Sequence, residues 1–224
     1  MKIGIVIPAH NEAMTIAKCL ASVQTAIEQL PLTIKASILV VLDSCTDDTQ
    51  SIVKAEGVDY LYCDYHCVGQ VRDMGIRHAI TNGVTWLACT DADSTVPMDW
   101  LLQQIEHISQ QPTDMICGVV DVDSWAHLIP QTREDYIAHY QDKMGHRHIH
   151  GANLSFSSAA YLAVDGFAHL PCHEDVDLVK RFEDQGYAIT WSNRVRVQTS
   201  SRLQARATKG FAAFLANLEN NHLK

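Results

Sequence analysis

No apolar run in this 224-residue chain approaches the roughly 20 residues needed to cross a bilayer, so no membrane-spanning helix is expected. The chain opens directly on Ile3-Gly4-Ile5-Val6-Ile7, without the basic stretch and apolar core of a secretion signal. Positive charge is scarce. The 17 Lys and Arg against 26 Asp and Glu leave a net charge of −9, which argues against nucleic acid as a partner. An acidic protein can still bind an anion where a metal ion and a few arginines reverse the local field. The seven cysteines (Cys19, Cys45, Cys63, Cys67, Cys89, Cys117 and Cys172) are odd in number and scattered through apolar segments, so no disulfide framework is expected. Cys63-Asp64-Tyr65-His66-Cys67 has no second Cys/His pair at convincing zinc spacing. There is no internal repeat and no low-complexity tract. What remains is a cytoplasmic protein with a real core, 47% apolar and 19% charged, read as one domain over 1–224.

The chain does contain an alternation of two hydrophobic periods. Lys2 to Ile7, Ala36 to Leu42, Asp59 to Cys63 and Val84 to Thr90 read as buried strands. Between them Glu12 to Gln29, Thr49 to Ala55 and Val68 to Thr81 read as helices, and Pro97 to Ser109 follows as another. Such alternation predicts an α/β fold with a mostly parallel sheet covered on both faces. From Met115 the pattern changes. Met115 to Val122 reads as a strand, Thr132 to Met144 as a helix, and Gly151 to Ser157 as strand or loop. Ser158 to Val164 is a short helix. His173 to Gln185 is an amphipathic helix with Val176, Val179 and Phe182 inward. Tyr187 to Thr199 closes the sheet, and Arg202 to Leu218 is a last helix. The two halves, 1–112 and 113–224, are expected to be lobes of one domain.

Asp91-Ala92-Asp93 sits where the fourth strand ends. Two carboxylates one residue apart repel, so a positive group should lie beside them. Mg²⁺ is usually held by one or two carboxylates plus substrate phosphates, so a cation carrying a diphosphate fits. Read alone, Asp-Ala-Asp-Ser is only a turn. In parallel α/β sheets, however, ligands bind outside the carboxyl ends of the strands. Asn11-Glu12, Asp43 and Asp91 to Asp93 each follow a predicted strand, so all should line one crevice.

Val6-Ile7-Pro8-Ala9-His10-Asn11-Glu12, Val40-Val41-Leu42-Asp43-Ser44-Cys45-Thr46-Asp47-Asp48-Thr49, Asp91-Ala92-Asp93 and His173-Glu174-Asp175 together resemble family 2 glycosyltransferases. The resemblance implies a GT-A fold, a Rossmann-like sheet with a smaller acceptor-side lobe, and an inverting enzyme that uses a nucleotide-diphospho-sugar. It implies that Pro8, Ala9, Glu12 and Ala92 line the nucleoside pocket. Asp43 would bond the base, often uracil, which makes a UDP-sugar the expected donor. Asp91 would meet the ribose or a metal-bound water, and Asp93 would ligate Mg²⁺ or Mn²⁺. Asp175, beside Glu174, would be the catalytic base, and Gly151-Ala152-Asn153 and Gly166-Phe167 would shape the acceptor side. No late histidine stands at Val195 to Arg202 to act as a further metal ligand.

Other residues keep two readings. Arg72 near a helix start either holds phosphate or pairs on the surface with Asp73 or Glu56. Arg202 and Arg206, four apart, either cover the diphosphate or form a solvated face. His173 is a cap-region residue, a metal neighbour or an acceptor contact. His146-Arg147-His148-Ile149-His150 alternates like a strand, with three histidines on one side. It reads as a mobile acceptor loop, a surface strand or an opportunistic metal site. The acceptor is left open, with a small soluble molecule favoured over a lipid-linked one. A nucleotidyltransferase and an inactive nucleotide-sugar-binding protein are the rival functions.

Overall fold

A computed structural model describes residues 1–204 and 210–222. Strands β1 (Lys2–Ala9), β2 (Lys35–Asp43), β3 (Asp59–Cys63) and β4 (Trp86–Cys89) alternate with helices α1 (Ile16–Glu28), α2 (Thr49–Ala55) and α3 (Val68–Thr81). A two-residue strand β5 (Ser94–Thr95), α4 (Trp100–Gln110), β6 (Met115–Val122) and α5 (Pro130–His139) follow. A 3₁₀ turn at Gly151–Asn153 leads into β7 (Leu154–Ser157), and α6 (Ser158–Ala163), α7 (Glu174–Asp184), β8 (Ile189–Thr199) and α8 (Phe211–Asn221) complete the order.

One continuous sheet runs β3-β2-β1-β4-β7-β6-β8-β5. β1, β2, β3, β4, β6 and β8 point one way, while β7 and β5 oppose them. The expected mostly parallel α/β sheet is therefore present. Its two faces separate by the strand period of two. Ile3, Ile5 and Ile7 of β1 join Val40, Leu42, Trp86 and Ala88 under α1 and α4. Val6, Val41, Leu87 and Cys89 point the other way, to Phe156, Ile76, Leu178 and Phe182.

One expectation needs correction, and one of the three readings of residues 146–150, the surface strand, is set aside. Val176 is 43% exposed, because the buried stripe of α7 runs through Leu178, Val179 and Phe182 instead. Residues 146–150 form no strand, since their backbone pairs with no neighbouring strand. The histidine rings nonetheless stack, 5.5 Å apart between His146 and His148 and 6.1 Å between His148 and His150.

Packing is very tight at Gly118 in the second half, where the β6–β8 register shifts. A Cβ there would lie 2.5 Å from the Val195 carbonyl and would strike the Asn153 side chain. Neither neighbour can give way, because Asn153 Nδ2 donates to the Val119 and Val195 carbonyls at 2.8 and 3.0 Å. Gly118→Ala is expected to destabilise the fold by about 1–3 kcal/mol, the usual cost of overpacking. The urea unfolding midpoint checks this.

Candidate active site

All six co-directed strands end on the same side, and a crevice of about 930 Å³ lies there. Its first wall is built by two turns tied to each other. Asn11 adopts a left-handed backbone, φ 52°, which asparagine tolerates better than most residues. This turns its Oδ1 to accept from the Thr46 and Asp47 amides at 2.8 and 3.3 Å. The Glu12 amide donates to Thr49 Oγ1 at 2.8 Å, and a His10 ring nitrogen meets the Asp43 carbonyl at 2.6 Å. Pro8, Ala9 and Glu12 thus face Asp43 across a fixed gap. Asp43 is only 5% exposed, and its Oδ1 accepts from the Tyr65 amide at 2.8 Å. Burial beside Asp43 pushes the Cys63 thiol up to about 12, so this thiol stays protonated.

The acidic pair at the end of β4 is divided between two arginines. Asp91 Oδ1 accepts from Arg72 at 2.6 Å, and Asp93 Oδ2 lies 3.0 Å from Arg202. Arg202 also reaches Glu12 at 2.9 Å. Their mutual repulsion is thereby relieved, each carboxylate by a different cation. Ala92 sits between them on the crevice wall.

Arg72 is not the surface ion pair that one reading allowed. It is 3% exposed, because α3 packs against the sheet, and its second terminal nitrogen meets Glu174 Oε1 at 2.5 Å. Asp73 pairs instead with Arg77 at 2.8 Å and accepts from the Tyr161 hydroxyl at 2.6 Å. Burial alone would lower the Arg72 pKa. Asp91 and Glu174 more than reverse this, so the guanidinium is held charged. Burial pushes the Glu174 carboxyl above the usual range, against the opposing pull of Arg72.

Asp175 opens the first turn of α7. Its Oδ2 accepts from the Gly151 amide at 2.9 Å and its Oδ1 from the Val176 amide at 2.9 Å. Gly151, Ala152, His173 and Asp175 all line the crevice, and His173 takes a left-handed backbone, φ 62°, just before the helix. Asn153 does not reach the crevice. It is fully buried, with Oδ1 accepting from Trp100 Nε1 at 3.0 Å and Nδ2 used as above. Its expected acceptor contact is therefore replaced by a role in joining β6, β8 and α4. Gly166, φ 67°, packs under Tyr161, and Phe167 is buried beneath Arg72 at 5.9 Å. Arg206 lies outside the described residues.

The opposite end of the crevice goes beyond the sequence reading, which gave residues 146–150 as an acceptor loop, a surface strand or a metal site but did not join them to the aromatic residues around them. Tyr136, Tyr140, His148, His150, Phe211 and Phe214 line it. Tyr136 and Tyr140 are four apart, at and just beyond the end of α5, which puts them on one side. That spacing, with the alternating histidines, was the available signal.

Divalent-cation chemistry fits this donor set. Asp91 and Asp93 offer hard oxygen ligands, and each has a cationic partner that an ion and a diphosphate could replace. Among the described residues, no group of three His, Cys, Asp or Glu side chains is gathered to hold a metal by itself. The protein would therefore contribute few ligands, as is usual for Mg²⁺.

The glycosyl transferase family 2 model matches residues 4–162. No curated protein sequence matches the chain. TarS of S. aureus, residues 1–349 in complex with UDP-GlcNAc, superposes with a TM-score of 0.71 at 16% identity, covering 94% of this chain and 62% of that one. The mannosyltransferase PcManGT from Pyrobaculum calidifontis, in complex with GDP-Man and Mn²⁺, gives a TM-score of 0.66 at 18% identity, covering 88% and 56%. The chain thus spans less than two thirds of the length of either neighbour. The shared architecture is the GT-A fold.

Arg72→Met would leave the buried Glu174 carboxylate beside Asp91 with no counter-charge. Removing one partner of a buried ion pair costs about 3–5 kcal/mol. A urea titration should show that loss, and an unchanged midpoint would show that these bridges carry no weight.

Proposed function

The chain belongs to glycosyl transferase family 2, and from that membership we propose that it moves a sugar from a nucleotide-diphospho-sugar to an acceptor hydroxyl, inverting the anomeric centre. The observation that carries this reading is the convergence of Asp43, Asp91, Asp93, Asp175, Arg72 and Arg202 on one crevice at the strand ends.

Each residue has a task that its chemistry suits. Asp43 offers a carboxylate to the N–H groups of a base, and a UDP-sugar is the first donor to test. Asp91 serves the ribose or the cation shell. Asp93 would hold Mg²⁺ or Mn²⁺, which would neutralise the departing diphosphate. The charges of the site support a cation. Among the described residues the lining carries Glu12, Asp43, Asp91, Asp93, Glu174 and Asp175 with Arg72 and Arg202, an acidic set that a divalent cation would suit. Arg202 is the guanidinium placed to exchange Asp93 and Glu12 for a phosphate oxygen. Arg206, its expected companion, belongs to the same proposal through sequence alone.

Asp175 acts as general base. Two backbone amides fix its carboxylate, and each oxygen retains lone pairs for the proton of the acceptor hydroxyl. Proton removal accompanies bond formation at an oxocarbenium-like sugar carbon, and attack opposite the leaving group inverts it. Glu174 contributes by holding Arg72, and through it Asp91, rather than by touching substrate. Among the described residues no helix is long and apolar enough to cross a membrane.

Incubating the protein with a panel of nucleotide sugars and Mg²⁺ or Mn²⁺ tests the reading. Release of nucleoside diphosphate is expected. Pyrophosphate instead would mark a nucleotidyltransferase, and binding without turnover an inactive sugar-nucleotide receptor. Asp93→Asn should abolish metal-dependent nucleotide binding in calorimetry. Asp175→Asn should bind donor normally yet slow transfer by roughly 10²–10⁴-fold, the usual contribution of a general base. Near-normal transfer by that variant would remove Asp175 from the role.

A further inference from the structure

We propose that the aromatic end of the crevice is the acceptor subsite and that it takes a carbohydrate ring. This rests on the transferase reading above and names its missing substrate class. The rings there form a layered surface. Tyr140 stacks flat on His148, with centroids 4.0 Å apart and planes 4° apart. Tyr136 stacks on Tyr140 at 5.1 Å and 14°. Phe211 closes the side, edge-on to His150 and Tyr136 at 6.2 Å each.

The surface is built before any ligand arrives. The Tyr140 hydroxyl accepts from the Val120 amide at 2.8 Å and meets His150 Nε2 at 3.0 Å. His148 Nε2 accepts from the Gln141 amide at 2.9 Å. Rings held this way lose little freedom on binding, which favours affinity. The surface also adjoins the base: Gly151, next after His150, is the residue whose amide donates to Asp175. A molecule lying on these rings would lie beside the segment that holds Asp175.

The chemistry of the wall selects the ligand. None of Tyr136, Tyr140, His148, His150 and Phe211 carries a fixed charge. Burial, first of all, keeps the imidazoles neutral by lowering their pKa, that of His150 to about 3. The nearby Arg196 is already bound to Asp121 and Asp142, at 2.8 Å each. A phosphate headgroup would find no cation offered by these rings. A plain alkyl chain would leave the other imidazole nitrogens, His148 Nδ1 and His150 Nδ1, without use, since each Nε2 is already bonded within the wall. A sugar ring has an apolar C–H face for the aromatic planes and hydroxyls that both donate and accept. This is the mixed surface that a pocket of rings with a few polar atoms fits.

Saturation-transfer NMR on the full chain tests the assignment with methyl glycosides of glucose, galactose, mannose and N-acetylglucosamine, against farnesyl phosphate and dodecanol as non-carbohydrate probes. At least one glycoside should bind through its ring C–H protons and should also be the acceptor that triggers nucleoside diphosphate release. Phe211→Ala and, as a second probe, His148→Ala should each weaken that binding roughly three- to tenfold, the worth of one aromatic contact. Transfer only to farnesyl phosphate or dodecanol would overturn the inference while leaving the transferase reading standing. Glycoside binding that both variants leave unchanged would also overturn it. Glycosides bound on these rings, with no nucleoside diphosphate released from any donor, would uphold the subsite and sink the transferase reading.

Discussion

The guanidinium of Arg72 is the constraint on which the site depends. It lies inside the protein, and its two ends bind carboxylates from opposite halves of the chain, Asp91 and Glu174. A charge so placed is tolerated only while both partners remain. The backbone has been shaped around it. At Gly151 a Cβ would come within 2.6 Å of an Arg72 nitrogen, so only glycine lets that segment pass. The same segment then gives its amide to Asp175. One buried side chain thereby fixes the distance between the acidic exit of β4 and the start of α7. Arg72 can do this although nothing about it needs to touch a substrate.

Charge is distributed unevenly along the crevice. Carboxylates and arginines gather after β1, β2 and β4, rings come from α5, α8 and residues 146–150, and Asp175 is bonded to Gly151, which follows the last of those histidines. Arg202, paired with both Glu12 and Asp93, brings the segment after β8 across to the turn after β1. The acidic set would suit a divalent cation, while the rings carry no fixed charge. This polarity suits a reaction whose two substrates differ in charge.

The fold was largely legible because apolar period and turn chemistry agree in the first half. Asp59–Cys63, Thr49–Ala55, Val68–Thr81 and Met115–Val122 have the bounds that the pattern predicts. Asp43, Asp91 and Asp93 could be gathered in advance because strand ends of a parallel sheet share an edge, whereas Asp175, at the start of α7, was implied only by the family resemblance. What escaped depends on long-range packing. The inward side of Arg72 is set by Glu174, over a hundred positions away. Asn153 sits in a motif that reads as a binding loop, yet three partners from β6, β8 and α4 consume its amide. Val176 fits an apolar stripe on paper, but α7 is rotated so that Glu174 faces Arg72, which turns Val176 outward. The ring wall combines α5, α8 and residues 146–150, and local spacing marks its parts but not their union.

Strand β7 has a consequence for how the molecule must assemble. Leu154–Ser157 is inserted between β4 and β6, the sole antiparallel rung at the centre of the sheet. Until the ribosome has made it, Trp86–Cys89 offers bare amides and carbonyls along one side, and such an unpaired border invites strands from other molecules. Without residues 154–157 the amino-terminal strands would end at β4 as an edge strand. A product that stops before residue 154 would keep that border exposed, a template for association with other chains.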